Sequence, residues 1–161
     1  MLRTWILAED EWFRLRDLRL TALRESPRAF LSSYQRESIY CEAEWRTELS
    51  RGNWLVAAER GRTVGLLGVT QEVSTPPNEC YLEFLWVSPR FRRSGVATSL
   101  MKAALKDVLR SEITTVWVWV LNGNEPARHL YERFGFVRTG VRQSLSNNPS
   151  RCEELMKLAL Q

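Results

Sequence analysis

The chain has 161 residues, of which 44% are hydrophobic and 26% charged, and this predicts one globular domain over residues 1–161 rather than a disordered chain. No apolar run approaches the roughly 20 residues of a membrane-spanning helix, and the first residues lack a signal-peptide pattern, so we expect no membrane association. The net charge of +4 comes without a basic stripe, which argues against nucleic acid as a partner.

The cysteines point to a reducing compartment. Cys41, Cys80 and Cys152 are few, odd in number and without a spacing pattern. This argues against a disulfide framework or a zinc site and predicts a cytoplasmic protein without a metal.

The first third of the chain predicts one strand and two helices. Residues 2–8 have the composition of a strand, and Glu9–Arg24 repeats apolar residues at helical spacing. The apolar face of this helix contains Leu15, Leu18 and Ala22, and its arginines Arg14, Arg16 and Arg19 are expected largely outside that face. Arg28–Glu37 follows without a regular pattern, and Ser38–Ser50 predicts a second helix. The apolar residues of that second helix are Ile39, Trp45 and Leu49.

A hairpin follows. Trp54–Glu59 and Thr63–Glu72 predict two strands, which a turn at Arg60-Gly61-Arg62 joins. Gly65 and Gly68 weaken the second strand, and they predict a bulge or a close packing contact there.

The centre of the chain predicts a strand, a basic turn and a helix. Tyr81–Val87 is rich in β-favouring residues, and Pro89 ends it. A helix then begins near Gly95, and its buried stripe is Val96, Leu100, Ala104 and Val108. The turn Arg92–Ala97 joins basic side chains to the free N–H groups of a helix start, an arrangement that suits a phosphate group. Because Gly95 has no side chain, a ligand can approach the backbone there.

The last third predicts three strands and a short helix. Ile113–Leu121 is apolar on both faces, which predicts a central strand. Glu125–Phe134 predicts a helix, and a polar loop at Ser144–Arg151 joins the final strands Phe136–Gln143 and Glu153–Leu160. The order β-α-α-β-β-β-α-β-α-β-β predicts an α/β (α+β) fold with a mixed sheet and helices on both faces.

Two segments carry recognisable motifs. Arg92, Gly95 and Ala97 fit the pattern Arg/Gln-x-x-Gly-x-Gly/Ala, and Leu85-Trp86-Val87-Ser88-Pro89 precedes them. The second segment contains Asn-x-x-Ala, Leu-Tyr and Gly-Phe, formed by Asn124, Ala127, Leu130, Tyr131, Gly135 and Phe136. Together the segments cover residues 81–136, and they resemble the signature of the GNAT superfamily of N-acetyltransferases. In the family the first motif often follows Leu-Tyr-Val-x-Pro, so Trp86 is a departure from the pattern.

The resemblance implies a GNAT-like, mostly antiparallel sheet of six to seven strands and an enzyme that transfers the acetyl group of acetyl-CoA to a primary amine by direct attack. The implied acetyl-CoA contacts are Leu85, Trp86, Val87, Arg92, Arg93, Ser94, Gly95, Val96, Ala97, Thr98, Asn124, Ala127 and Tyr131. In such an enzyme the amides from Arg93 to Thr98 hold the pyrophosphate, the Val87 N–H polarises the thioester carbonyl, and Tyr131 protonates the leaving thiolate. The acceptor is a small-molecule or protein amine, no metal takes part, and the chain is a monomer or a homodimer.

Each candidate residue also has a structural explanation. Asn124 is a favoured helix cap, and Tyr131 suits a core position. Glu83 is the candidate general base if it is buried without a partner, and a structural carboxylate if an arginine pairs with it. Further candidates for the base are Glu37, Glu42 and Glu44. His129, the only histidine, is expected to face solvent.

Two rival functions stay open on the sequence alone. One is a non-catalytic acetyl-CoA-binding sensor or regulatory protein, which the presence of Tyr131 disfavours. The other is a nucleic-acid-binding module that uses Arg90–Arg93, which the shortness of this cluster disfavours. We expect Arg28–Ser50 and Ser144–Arg151 to select the acceptor.

Overall fold

Seven strands form one sheet in the order β1-β2-β3-β4-β5-β7-β6 in the computed structural model, which describes residues 1–161. The strands are β1 (Leu2–Ile6), β2 (Gly52–Glu59), β3 (Arg62–Thr70), β4 (Glu79–Val87), β5 (Thr115–Leu121), β6 (Val137–Leu145) and β7 (Asn148–Ala159). Neighbouring strands are antiparallel except β4 and β5, which run parallel. The predicted mixed, mostly antiparallel sheet is confirmed, and β5 lies inside it, as its apolar composition indicates.

Helices cover both faces of the sheet, also as predicted. They are α1 (Trp12–Glu25), α2 (Tyr34–Glu37), α3 (Glu42–Ser50), α4 (Val96–Val108) and α5 (Glu125–Arg133), with 3-10 turns at Glu9–Glu11 and Pro89–Phe91. None of these helices combines the length and the apolar character that crossing a membrane requires.

Two hydrophobic cores define the two faces. On the face that we call the α1 face, α1 and α3 pack against Trp54 and Trp86 of the sheet. On the opposite side, the α4 face, α4 and α5 pack against the inward residues of β2 to β5. Gly68 allows the close packing predicted for it, because a Cβ there would lie 2.7 Å from the Trp54 ring.

The strands β4 and β5 separate halfway along their length. Their parallel pairing ends at Leu82 and Val118. Directly beyond this point Phe84 has a φ of 56°, and the register between β4 and β3 shifts. Since a bulge bends its strand, the second halves of β4 and β5 diverge. We call the space between residues 84–87 of β4 and 119–121 of β5 the fork.

The structure corrects three of the sequence predictions. Arg19 is only 6% exposed, because it forms an ion pair with Glu37 under the surface. Helix α3 begins four residues later than predicted, at Glu42, and this leaves Ile39 81% exposed. Most of the polar segment Ser144–Arg151 is not a loop, since β6 and β7 continue through it as a hairpin with a two-residue turn. An edge hairpin is held by backbone hydrogen bonds and needs no apolar pattern.

Candidate active site

The fork exposes backbone groups of β4. The Ser88 N–H donates to the Val64 carbonyl of β3 at 2.7 Å, and Trp86 is paired with Leu66 on the same side. Because backbone groups alternate in direction along a strand, those of Val87 point away from β3 and into the fork. The Val87 carbonyl indeed accepts a hydrogen bond from Arg92 Nε at 2.8 Å. The Val87 N–H is therefore available to a ligand that lies along β4.

Arg92 connects this end of β4 to the end of α1. Its Nη2 donates to Glu25 Oε2 at 2.9 Å, and the same carboxylate oxygen accepts from Trp86 Nε1 at 2.9 Å. Burial opposes the charge of Glu25, but hydrogen bonds from Ser26, Trp86 and Arg92 outweigh it and lower the pKa of this carboxyl below its ordinary value. The guanidinium of Arg92 thus faces α1, and the Trp86 indole lies in the core of the α1 face.

The turn before α4 presents six consecutive backbone N–H groups, from Arg93 to Thr98, that have no acceptor in the chain. The first helical hydrogen bond is donated by Ser99 to the Gly95 carbonyl at 2.9 Å. Gly95 has a φ of 91°, and nothing lies within 4 Å of a Cβ built on it. Glycine adopts this left-handed conformation without strain. Free amides at the positive end of a helix attract an anion, so this turn can receive a pyrophosphate.

Helix α5 places Tyr131 on the α4 face, in the same core as Val87, Val118 and Val120 from the two strands of the fork. The ring packs 5.7 Å from that of Phe136, centroid to centroid. Burial raises the pKa of the Tyr131 phenol well above its ordinary value, so its hydroxyl keeps its proton near neutral pH.

Asn124 begins α5. Its side chain accepts a hydrogen bond from the Ala127 N–H at 3.3 Å, which is the cap that its sequence position predicts. His129 is exposed, also as predicted, and lies beside Glu125.

A cavity of about 550 Å³ opens on the α1 face. Its walls come from the segment after α1, the loop between β3 and β4, and the strands β4, β5 and β7. Phe84 and Trp119, one from each arm of the fork, both line it, and the Phe84 ring stacks on Phe30 with centroids 4.0 Å apart. The cavity therefore reaches the fork from the face opposite Tyr131.

Glu83 lines this cavity as part of an ion-pair cluster. Its carboxylate accepts from Arg51 Nη1 at 2.9 Å, from Arg51 Nη2 at 3.0 Å and from the Thr70 hydroxyl at 2.8 Å. Arg51 also binds Glu48 and Glu72. Both carboxylate oxygens of Glu83 are therefore already engaged within the chain.

Two further charged side chains line the cavity. Arg19 donates to both carboxylate oxygens of Glu37 at 2.8 and 2.6 Å, and its guanidinium lies 4.2 Å from the Phe84 ring centroid. Glu153 on β7 is 7% exposed and forms no ion pair, although Arg19 and Arg51 line the same cavity. One of its oxygens accepts from Gln143 Nε2 at 2.7 Å, and the other has no donor in the chain.

A family model described as "Acetyltransferase (GNAT) family" matches residues 12–136. The chain belongs to the GNAT acetyltransferase family. It is similar to the N-alpha-acetyltransferase RimI of Mycobacterium tuberculosis, with 33% identity over 92 residues, 56% of this chain and 56% of the relative. The chain spans about half the length of the bacterial curated relatives it matches, and 7% of a much longer human one.

Solved structures agree on the fold of this GNAT chain. It superposes on a GNAT acetyltransferase of Streptococcus pneumoniae with a TM-score of 0.82 and 18% identity, and the match covers 100% of both chains. The yncA protein of Salmonella typhimurium, solved with its cofactor acetyl-CoA, gives a TM-score of 0.75 with 15% identity over 99% of this chain and 94% of the other.

The structure brings the predicted site residues of this GNAT chain together in part. The amides of residues 93–98 and the Val87 backbone border the fork or its end, and Tyr131 lies in the core that covers the α4 face of the two strands. The side chains of Trp86 and Arg92 instead point to the α1 core and to Glu25, so any contact from these residues to a ligand in the fork would come from the backbone. Their hydrogen bonds to Glu25 span more than 60 positions of sequence, a separation that no sequence motif reveals.

Proposed function

We propose that this chain transfers an acetyl group from acetyl-CoA to a primary amine. The observation that carries the proposal is the fork, which has an amide-lined turn at its end, a tyrosine on one face and a cavity on the other. When bound, acetyl-CoA would supply an activated thioester carbonyl. The match to an acetyltransferase structure that contains acetyl-CoA supports this choice of donor.

The binding of the donor rests on backbone groups. The amides of residues 93–98 bind the pyrophosphate of acetyl-CoA. The edge of β4 at Leu85 and Val87 hydrogen-bonds to the pantetheine part of the same molecule, which contains amide groups. Such contacts need only a glycine at the turn and an unpaired strand, and both are present. Arg92 donates to the Val87 carbonyl, and the pairing of Trp86 with Leu66 of β3 leaves the Val87 N–H directed into the fork.

Two donors stabilise the charge that develops in the reaction. The Val87 N–H donates to the acetyl oxygen, and the Tyr131 hydroxyl donates to the sulfur as the nitrogen–carbon bond forms and the carbon–sulfur bond breaks. The raised pKa of Tyr131 lies above the pKa of about 8.5 of an ordinary thiol. The phenol therefore acts mainly as a hydrogen-bond donor to the thiolate.

The acceptor enters from the α1 face through the cavity, and its extra proton leaves on the same side. Glu83 as the general base stays a prediction, and its hydrogen bonds to Arg51 and Thr70 weigh against it. The acceptor is an amine, on a small molecule or on a protein. The relative named as an N-alpha-acetyltransferase supports this class. The three free cysteines support the cytoplasm as its compartment.

The test is the release of free coenzyme A thiol when the full chain is incubated with acetyl-CoA and a panel of amines. We expect turnover that depends on the amine. Calorimetric binding of acetyl-CoA without turnover of any amine would refute the transferase and establish the rival function, a sensor of acetyl-CoA.

A further inference from the structure

The cavity on the α1 face has an excess of acidic groups, although the chain as a whole has a net charge of +4. The charges that line it or pair with its lining are Glu37, Glu48, Glu72, Glu83 and Glu153 against Arg19 and Arg51. Both arginines are occupied by carboxylates, and a formal excess of three negative charges is left. A single ammonium group would neutralise only one of them.

Glu153 is the carboxylate in this set without a cationic partner. It is more than nine-tenths buried, and only one of its oxygens accepts a hydrogen bond, from a neutral amide. A buried carboxylate of this kind is costly unless a positive group pairs with it. Trp119 lines the same cavity, and an aromatic ring beside a carboxylate also favours a cation.

The position of Glu153 separates it from the reacting centre. The fork lies between β4 and β5, whereas Glu153 is on β7, on the far side of β5. Neighbouring strands lie about 4.8 Å apart, so a positive group bound at Glu153 is displaced from the fork by at least one strand. Glu153 is therefore placed to bind a part of the acceptor other than the amine that reacts.

We propose that the acceptor is an amine with a second positive charge, and that Glu153 binds this second charge while the other amine reaches the fork. The proposal rests on the proposed function. It predicts selection between acceptors of equal length, since a diamine pairs with Glu153 and a monoamine leaves that carboxylate unpaired.

The same cavity offers one feature that would suit a different acceptor. Arg19 Nη1 and Ser32 Oγ are buried donors without a partner, and both residues line the cavity. An acceptor with a carboxylate could use them. The excess of acidic groups disfavours such an anion, and the experiment includes one.

The experiment compares 1,4-diaminobutane, butylamine and 4-aminobutyrate as acceptors for the full chain, by release of coenzyme A thiol. We expect kcat/KM for the diamine to exceed that for butylamine by roughly ten- to hundredfold, the size of one charged hydrogen bond, and 4-aminobutyrate to be the poorest. In Glu153→Gln, which can still accept from Gln143, this preference should fall to near one. The matched control Glu154→Gln changes the neighbouring residue, which pairs with Arg138 on the opposite face, and should keep the preference.

Equal kcat/KM for the diamine and butylamine, or an unchanged preference in Glu153→Gln, would overturn the inference. A preference for 4-aminobutyrate would also overturn it and assign acceptor selection to Arg19 and Ser32. If another amine of the panel is acetylated and the diamine is not, the inference falls and the transferase stands. If no amine is acetylated, both fall.

Discussion

Replacing Tyr131 with phenylalanine removes one hydroxyl from the fork and keeps the ring. The ring contact with Phe136 is unchanged, and the Tyr131 hydroxyl makes no hydrogen bond within the chain that could be lost. We therefore expect the free energy of unfolding to change by less than about 1 kcal/mol, the net value of a typical hydrogen bond. For a chain of this length that corresponds to a change in Tm of no more than about 4 °C.

Turnover should respond far more strongly. Loss of a single donor to a developing negative charge typically lowers kcat by about 10²–10³, and general acid catalysis contributes about 10²–10⁴. Because the raised pKa of Tyr131 makes complete proton transfer to a thiolate unfavourable, we expect a fall near the lower end, about 10². The dissociation constant for acetyl-CoA should change little, since the amides of residues 93–98 are untouched.

The assay combines steady-state turnover of the best amine with calorimetric titration of acetyl-CoA and a melting curve. Tyr40→Phe is the matched control, because Tyr40 packs against Trp45 beside α3 and takes no part in the fork. A kcat for Tyr131→Phe equal to that of the control would show that Tyr131 only packs, and that the thiolate leaves without its help.

Three other changes test separate parts of the site. Gly95→Glu places a negative charge among the free amides of the turn, so calorimetry should detect almost no acetyl-CoA binding while circular dichroism shows a folded chain; unchanged affinity would move the donor site elsewhere. Glu83→Gln should lower the Tm by breaking the pair with Arg51; if Glu83 is the base it should also lower turnover near neutral pH and shift activity to higher pH, whereas an unchanged pH–rate profile would leave Glu83 as a structural carboxylate. Glu25 has a lowered pKa, so it stabilises the fold above its ordinary pKa of 4.5, and this stability is lost as the pH falls. Between about pH 5 and pH 3, the Tm of Glu25→Gln should therefore fall less steeply with pH than the Tm of the parent. Parallel plots of Tm against pH for the two proteins would contradict the Glu25–Arg92 contact.

The elements that position the proposed donor site could be predicted from the sequence, because they depend on local patterns. The strand at Tyr81–Val87 is rich in β-favouring residues, and the apolar stripe of α4 recurs at helical spacing. The left-handed conformation at Gly95 is one that glycine adopts readily. The capping role of Asn124 is equally local, since the donor is three residues away.

The acceptor side could not be predicted in the same way, because its groups meet only after folding. The sequence predicts an exposed helix position for Arg19 on α1. Its burial depends on Glu37, 18 residues away. Glu153 lies in a strand whose pairing to β5 and β6 decides which face it occupies. In the sequence it is one of two adjacent glutamates, and only the register shows that Glu153 faces the cavity while Glu154 binds Arg138.

The fork also bears on how this protein avoids aggregation. Unpaired N–H and C=O groups along a strand attract strands of other molecules, and long exposed edges of this kind lead to fibrous association. Here the open edge of β4 is a few residues long and lies inside the sheet, β5 stands opposite it, and Arg92 occupies the Val87 carbonyl. To pair with this edge, a strand of another molecule would have to enter between β4 and β5. The protein can thus keep a strand edge permanently open to a small molecule without offering it to its neighbours in a crowded solution.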